Sequence, residues 1–287
     1  MKIIDLIKEK KPTISFEVFP PKTDTNYDSV SKAVEEIAAL NPTFMSVTYG
    51  AGGGTSNYTV SIAEEIQKNK NVTALAHLSC ISSTKALVNE QLNKLKAAGI
   101  ENILALRGDI PEGFETDNLE YKFASELTED IKKFGGFCIG GACYPEGHPD
   151  SKNQNEDIEN MKKKIEAGCE FLTTQMFFDN NILYNYLYKL KMHDIDVPVI
   201  PGIMPVTNGK QIARICKLSG SCLPPRFKAI TDRWGDDKEA MTQAGIAYAT
   251  DQIIDLFANG ISHVHVYSMN RPDVAAKILH NLSAILK

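Results

Sequence analysis

The 287-residue chain has 43% hydrophobic residues, 36 acidic against 31 basic side chains, and a formal net charge of -5. That balance lacks the basic footprint of a nucleic-acid binder and points to a small-molecule partner held by local cations. No apolar stretch reaches bilayer length and the first residues lack a signal-peptide core, so a cytoplasmic protein without a membrane partner is expected.

The six cysteines, Cys80, Cys138, Cys143, Cys169, Cys216 and Cys222, form no Cys-x-x-Cys pair. They read as reduced cytosolic thiols, and no metal site is expected. Cys216 and Cys222 flank Ser219-Gly220-Ser221 and could sit close together.

In chain order, residues 1–8 suit a short amphipathic helix. Short apolar, β-branched runs then predict buried parallel strands at 13–19, 44–49, 72–77, 102–106, 137–143, 171–175, 197–202 and 263–267. Between the first two, 29–40 has helical spacing, with Val30, Val34, Ile37 and Leu40 on one face. Residues 84–98 repeat the device with Leu87, Leu92 and Leu95. Gly99, Gly168 and Gly260 each end a helical stretch just before a strand, which argues for a βα repeat. The segment between the seventh and eighth strands is the longest connection and holds helices near 209–218 and 239–257, expected to lie over the mouth.

Polar residues recur at the C-terminal ends of these runs. Glu17, Thr48, His77, Asp109, Tyr144, Gln175 and Tyr267 are spread over the whole chain. A (β/α)8 barrel builds its active site in this way, whereas an open doubly wound sheet gathers functional ends at one switch point. The predicted fold is therefore an α/β (β/α)8 TIM barrel, one domain over 1–287, with extra helices between strands 7 and 8.

Glu17 lies between Phe16 and Val18, and a carboxylate inside an apolar strand is costly unless paired or functional. Burial would raise its pKa, as suits a general acid. Asp109, after Arg107-Gly108, reads alone as a turn residue. Across a barrel mouth from Glu17 it becomes a second charge with another task. His77 alone reads as a structural histidine. The segment Gly50-Ala51-Gly52-Gly53-Gly54-Thr55 does not fit a phosphate-binding loop and suits close approach of backbone to a flat ligand. Asp157, Asn160 and Lys164 share one helical face, either a solvated stripe or a cradle for ribose and diphosphate.

Ser15-Phe16-Glu17-Val18-Phe19-Pro20-Pro21, Ser46-Val47-Thr48-Tyr49-Gly50-Ala51 and Leu106-Arg107-Gly108-Asp109 together resemble the methylenetetrahydrofolate reductase family. Tyr144-Pro145-Glu146-Gly147-His148-Pro149, Thr174-Gln175-Met176-Phe177-Phe178-Asp179, Pro201-Gly202-Ile203-Met204-Pro205-Val206 and Asn270-Arg271 extend the likeness over nearly the whole chain. The resemblance implies an FAD-containing oxidoreductase of one-carbon metabolism and methionine biosynthesis. NADH or NADPH would reduce the flavin, which would then reduce 5,10-methylenetetrahydrofolate to 5-methyltetrahydrofolate in a ping-pong cycle.

Carried over residue by residue, Glu17 matches the general acid and Asp109 a carboxylate near flavin and pterin. Thr48, His77, Arg107, Gly108, Asp109, Tyr144, His148, Asp157, Asn160 and Lys164 match cofactor contacts. Gln175, Gln211 and Arg271 match substrate contacts, Arg271 being suited to the glutamate tail. A homo-oligomer is implied, and a partner electron-transfer subunit is the arrangement of some anaerobic members. Ile215 stands where many bacterial members carry an aromatic, and the segment 216–222 is unlike theirs. The regulatory C-terminal domain of the longer eukaryotic relatives, and with it feedback by adenosylmethionine, is not expected. The competing readings are a folate- or flavin-binding subunit of a larger complex and another one-carbon barrel enzyme, such as a pterin-dependent methyltransferase.

Overall fold

A computed structural model describes residues 1–21, 23–49, 56–69, 71–110 and 119–287. The glycine-rich segment 50–55 lies outside the described residues. The chain opens with α1 (Ile3–Leu6) and enters the first strand of a parallel sheet. The strands are β1 (Thr13–Val18), β2 (Phe44–Val47), β3 (Thr73–Ser79), β4 (Asn102–Leu106), β5 (Cys138–Cys143), β6 (Phe171–Thr174), β7 (Val199–Ile200), β8 (Gly202–Ile203) and β9 (His263–Tyr267). The helices that follow α1 are α2 (Tyr27–Ala38), α3 (Ser56–Glu64), α4 (Lys85–Ala97), α5 (Ala124–Phe134), α6 (Gln154–Glu166) and α7 (Asn180–Met192). Then come α8 (Gly209–Ser219), α9 (Pro225–Trp234), α10 (Lys238–Ala258) and α11 (Pro272–Asn281). Among the described residues no helix is long and apolar enough to cross a membrane.

The sheet runs β7-β6-β5-β4-β3-β2-β1-β9-β8, each neighbouring pair parallel. The seventh strand expected from the sequence is split at Pro201. Its first part pairs with β6 and its second with β9, so residues 199–203 join the two edges of a TIM-type barrel. Proline has no N–H to give a ladder, and its carbonyl instead accepts from His265 N at 2.8 Å.

Side chains alternate across each strand. Phe44, Leu75, Leu104, Cys138, Phe171 and Ile200 point into the barrel and pack on Ile3 and Ile7. The alternate residues, including Phe16, Met45, Ala76 and Val266, form the larger core beneath the helices. Helix α1 thus covers the N-terminal end of the barrel, where Asn102 Oδ1 accepts from Ile3 N at 2.8 Å.

Gly99, Gly168 and Gly260 have φ of +79°, +120° and +85°. These are left-handed stops in which glycine avoids the Cβ clash. On α4 the expected face is corrected. Val88, Leu92 and Leu95 are buried, whereas Leu87 is 46% exposed. Five residues separate Leu87 from Leu92, which turns it roughly 140° away from that face.

The connection from β8 to β9 contains α9 as well as the two expected helices. Phe227 of α9 stacks on Phe178 (5.2 Å between centroids) and Tyr248 (4.2 Å). These rings join Met176, Val206, Ile212 and Met241 in an apolar cluster beside the strand ends.

Candidate active site

The inward alternation places Glu17 and His77 in the same cavity, of about 620 Å³, as the residues just beyond the other strands. Thr48, Tyr144 and Gln175 line it at the same parity. Arg107, Gly108 and Asp109 line it from the turn after β4. His148 enters from the loop after β5, and Asp157, Asn160 and Lys164 enter from α6. Twelve of the fourteen expected site residues therefore converge on one pocket, if Asp109 is counted once.

Glu17 is 8% exposed, and burial pushes its carboxyl up to about 8, with Ser46 opposing the shift. His77 Nε2 lies 3.6 Å from Glu17 Oε2. Burial pushes His77 down to about 3. At neutral pH the acid is mostly protonated and the imidazole neutral, so this contact is no ion pair.

Three residues that sequence reasoning passed over as site residues, Ser15, Ser46 and His265, complete the interior. His265 is 2% exposed; its Nδ1 lies 2.7 Å from Ser15 Oγ and its Nε2 2.9 Å from Ser46 Oγ. Ser46 Oγ is in turn 3.4 Å from Glu17 Oε2. Burial, then the neighbouring His77, hold His265 down to about 3. A protonated Glu17 can donate to Ser46, whose hydrogen goes on to His265 Nε2, and the Nδ1 hydrogen then goes to Ser15. The signal was present in the alternating His263-Val264-His265-Val266-Tyr267, which turns both histidines and Tyr267 inward.

The α6 side is polar and cationic. The Lys164 ammonium donates to Ala142 O at 2.8 Å, and burial lowers its pKa. Asp157 is 2% exposed, and its Oδ2 has no hydrogen-bond partner among the described residues. Burial raises its pKa while Lys164 opposes the rise. The Asp157–Asn160–Lys164 stripe thus faces the cavity rather than solvent.

Close by, Arg107 Nη2 donates to Asp150 Oδ2 at 2.6 Å and Nε to Gly108 O at 3.2 Å. Gly108 has φ +87°, and a Cβ there would meet Ser79 Oγ at 2.1 Å. Tyr144 packs edge-on to His148, 4.5 Å between centroids. Burial, then the Asp109 charge, push the Tyr144 hydroxyl up to about 12. Asp109 itself is exposed.

Gln211 and Arg271 do not line this cavity. Gln211 is exposed on α8, one turn before Ile215, which does line it. Arg271 forks onto Asp273, Nε to Oδ1 at 2.8 Å and Nη2 to Oδ2 at 2.6 Å. Cys216 and Cys222 also lie outside the lining; Cys222 N donates to both Glu146 oxygens, at 3.0 and 3.1 Å. Among the described residues no His/Cys/Asp/Glu group is arranged to hold a metal ion.

The family model described as methylenetetrahydrofolate reductase matches residues 2–283. The 5,10-methylenetetrahydrofolate reductase of Escherichia coli K12 is 34% identical over 269 residues, covering 94% of this chain and 90% of that protein. Methylenetetrahydrofolate reductase (NADH) 1 of Arabidopsis thaliana is 33% identical over 99% of this chain, but over only 51% of its own length. The chain thus spans about half the length of the plant relatives it matches. A Clostridium thermocellum structure, described as binding two copies of 5-methyl-5,6,7,8-tetrahydrofolic acid, superimposes with a TM-score of 0.65. That match has 14% identity over 98% of this chain and 97% of the other, a likeness of fold. With the family model covering nearly the whole chain and the bacterial relative aligned over most of both lengths, this chain belongs to the methylenetetrahydrofolate reductase family.

Proposed function

We propose that this chain is a one-domain flavoprotein that reduces 5,10-methylenetetrahydrofolate to 5-methyltetrahydrofolate at the expense of NADH or NADPH. The observation that carries this reading is Glu17, a carboxyl kept protonated near neutrality by burial at the wall of a large pocket. Reductive opening of the folate's five-membered ring needs a proton at the departing nitrogen, and a carboxyl titrating near the working pH is the suitable donor.

The residues present fit FAD. His77 Nε2, Asp157 Oδ2 and Thr173 Oγ1 are buried polar atoms of the cavity wall without hydrogen-bond partners among the described residues. A ligand that hydrogen-bonds them would remove a desolvation cost. Thr48, His77, Arg107, Gly108, Asp109, Tyr144, His148, Asp157, Asn160 and Lys164 would hold the cofactor. Bound FAD supplies a two-electron carrier that accepts hydride from the nicotinamide and returns it to the folate.

The chain's own groups do the rest. Glu17 delivers its proton to the folate nitrogen, and Ser46 and His265 orient its carboxyl. Asp109 sets negative charge at the rim, where a cationic folate intermediate gains stability. Gln175 contacts the pterin; its Oε1 is turned to Met176 N at 2.9 Å. Gln211 and Arg271 take the substrate's tail at the outer rim, with Arg271 exchanging Asp273 for a substrate carboxylate.

The test is a visible spectrum of the purified protein followed by anaerobic titration with NADH and then with methylenetetrahydrofolate. A yellow protein that bleaches and then recovers its colour supports the reading. A protein that binds no flavin, or only FMN, overturns it. A bound FAD that bleaches with dithionite and not with either nicotinamide favours an electron-donating partner subunit.

A further inference from the structure

We propose that Thr173 is a flavin-contacting residue, its hydroxyl holding the polar edge of the flavin ring. This rests on the flavoprotein reading above and adds a residue to it. Thr173 is 6% exposed, faces the cavity from β6, and its Oγ1 has no hydrogen-bond partner among the described residues. Its register partners are Ala142 on β5 and Ile200 on β7, whose side chains have no polar atom. The Ala142 carbonyl already takes the Lys164 ammonium at 2.8 Å. The next residue shows what a satisfied threonine looks like here, since Thr174 Oγ1 accepts from Gly202 N at 2.9 Å.

A β-branched side chain at this position needs no hydroxyl for packing, because valine has the same shape. A buried hydroxyl whose neighbours are apolar is costly unless something from outside the chain bonds it. The other two orphaned polar atoms of this wall, His77 Nε2 and Asp157 Oδ2, lie among the residues proposed to hold the cofactor. Thr173 is the third of the set. It shares its section of wall with Lys164 through Ala142 and lies on the strand next to Tyr144. It also precedes Gln175 by two residues, so it faces inward one step deeper than that substrate contact. The pterin that Gln175 contacts would lie one step nearer the mouth, which leaves the deeper position to the flavin ring.

The experiment compares Thr173→Val and Thr173→Ser with the parent protein, each stripped of ligand and titrated with FAD. Flavin fluorescence gives Kd, the visible spectrum reports hydrogen bonding to the ring, and thermal melting of the stripped proteins reports folding. Loss of one hydrogen bond predicts roughly 3–30-fold weaker FAD binding for Thr173→Val, with a displaced visible band. Thr173→Ser should stay within about threefold of the parent, and stripped Thr173→Val should melt no lower than the parent. A Thr173→Val protein with the parent's Kd and spectrum overturns the inference. So does one whose only defect is a raised KM for the folate, or one that melts lower when stripped. A parent protein that binds no FAD at all sinks the flavoprotein reading itself, a distinct result.

Discussion

Glu17 and His77 meet at 3.6 Å inside the barrel, and at neutral pH neither bears a full charge. Each group would ionise in water near neutrality or below. Here burial acts on both in the direction of the neutral form, raising the acid and lowering the base. The pair therefore stores a proton on the carboxyl, where a leaving nitrogen can use it. Glu17→Gln keeps the shape and cannot deliver that proton. Reduction of methylenetetrahydrofolate by the reduced protein should fall by about 10²–10⁴. Reduction of the bound flavin by NADH should change by less than about tenfold, a barrier change under about 1.4 kcal/mol. Rapid mixing resolves the two half-reactions, and an equal loss in both would make Glu17 a binding residue.

Glu17 and His77, with the neighbouring His265, contribute a pH profile to stability. His77 and His265 move from 6.5 to about 3 on folding, so the unfolded chain holds more protons between those values. Their contribution is complete above pH 6.5 and is lost as pH falls toward 3. Glu17 moves the other way, from 4.5 to about 8, so its contribution is complete below pH 4.5 and is lost as pH rises toward 8. Among these three groups, two protons against one leave their summed contribution rising up to about pH 6.5, and Glu17 makes it fall beyond. Urea unfolding at fixed ionic strength should show the maximum there. Glu17→Gln should remove the decline between pH 6.5 and 8, and a decline of unchanged slope would place its cause elsewhere.

Lys164 joins two walls, with its ammonium on the Ala142 carbonyl and its charge facing Asp157. Lys164→Met keeps the aliphatic stem and removes both interactions. Asp157 then loses the charge that opposes its burial, and its pKa should climb further. FAD affinity should weaken by about 1.5–3 kcal/mol, the usual cost of losing a charge-assisted bond. Fluorescence titration checks this. Unaltered affinity would return the 157/160/164 stripe to a structural role.

Much of this arrangement was legible because strand periodicity is a local property. The limits 102–106 and 263–267 were read without error from apolar, β-branched runs. The inward parity of Glu17, His77 and Tyr144 follows from counting by twos. The Ser15–His265–Ser46 contacts were not legible, since they join residues 250 and 219 apart and depend on how β9 registers with β1 and β2. The break at Pro201 could have been foreseen, because proline cannot donate within a ladder. Leu87 misled because an apolar residue was counted toward a face that Val88 occupies. The engagement of Arg271 by Asp273, two residues on, is a rotamer choice that spacing does not reveal.

Closure of the barrel depends on the absence of a side chain at Gly202. A Cβ there would lie 2.2 Å from the Tyr267 hydroxyl and 2.5 Å from the Thr174 carbonyl. Those two atoms are hydrogen-bonded to each other, so neither can yield without breaking that bond. The backbone cannot retreat either. Gly202 N is held by Thr174 Oγ1 at 2.9 Å, and β8 is registered on His265 and Val266. The constraint is steric rather than conformational, which separates this site from Gly99. There φ is +79° and nothing lies within 4 Å of an added Cβ. Gly202→Ala should therefore destabilise by about 3 kcal/mol or more, at the upper end of overpacking costs. Gly99→Ala should cost about 1–2 kcal/mol through its left-handed backbone alone. Removing the hydroxyl in Tyr267→Phe should recover part of the Gly202→Ala loss, because the shorter contact then disappears. Urea unfolding of the two single variants and the double variant measures that coupling. A strictly additive double variant would show that the clash is relieved elsewhere, and that residues 199–203 close the barrel with more slack than this packing allows.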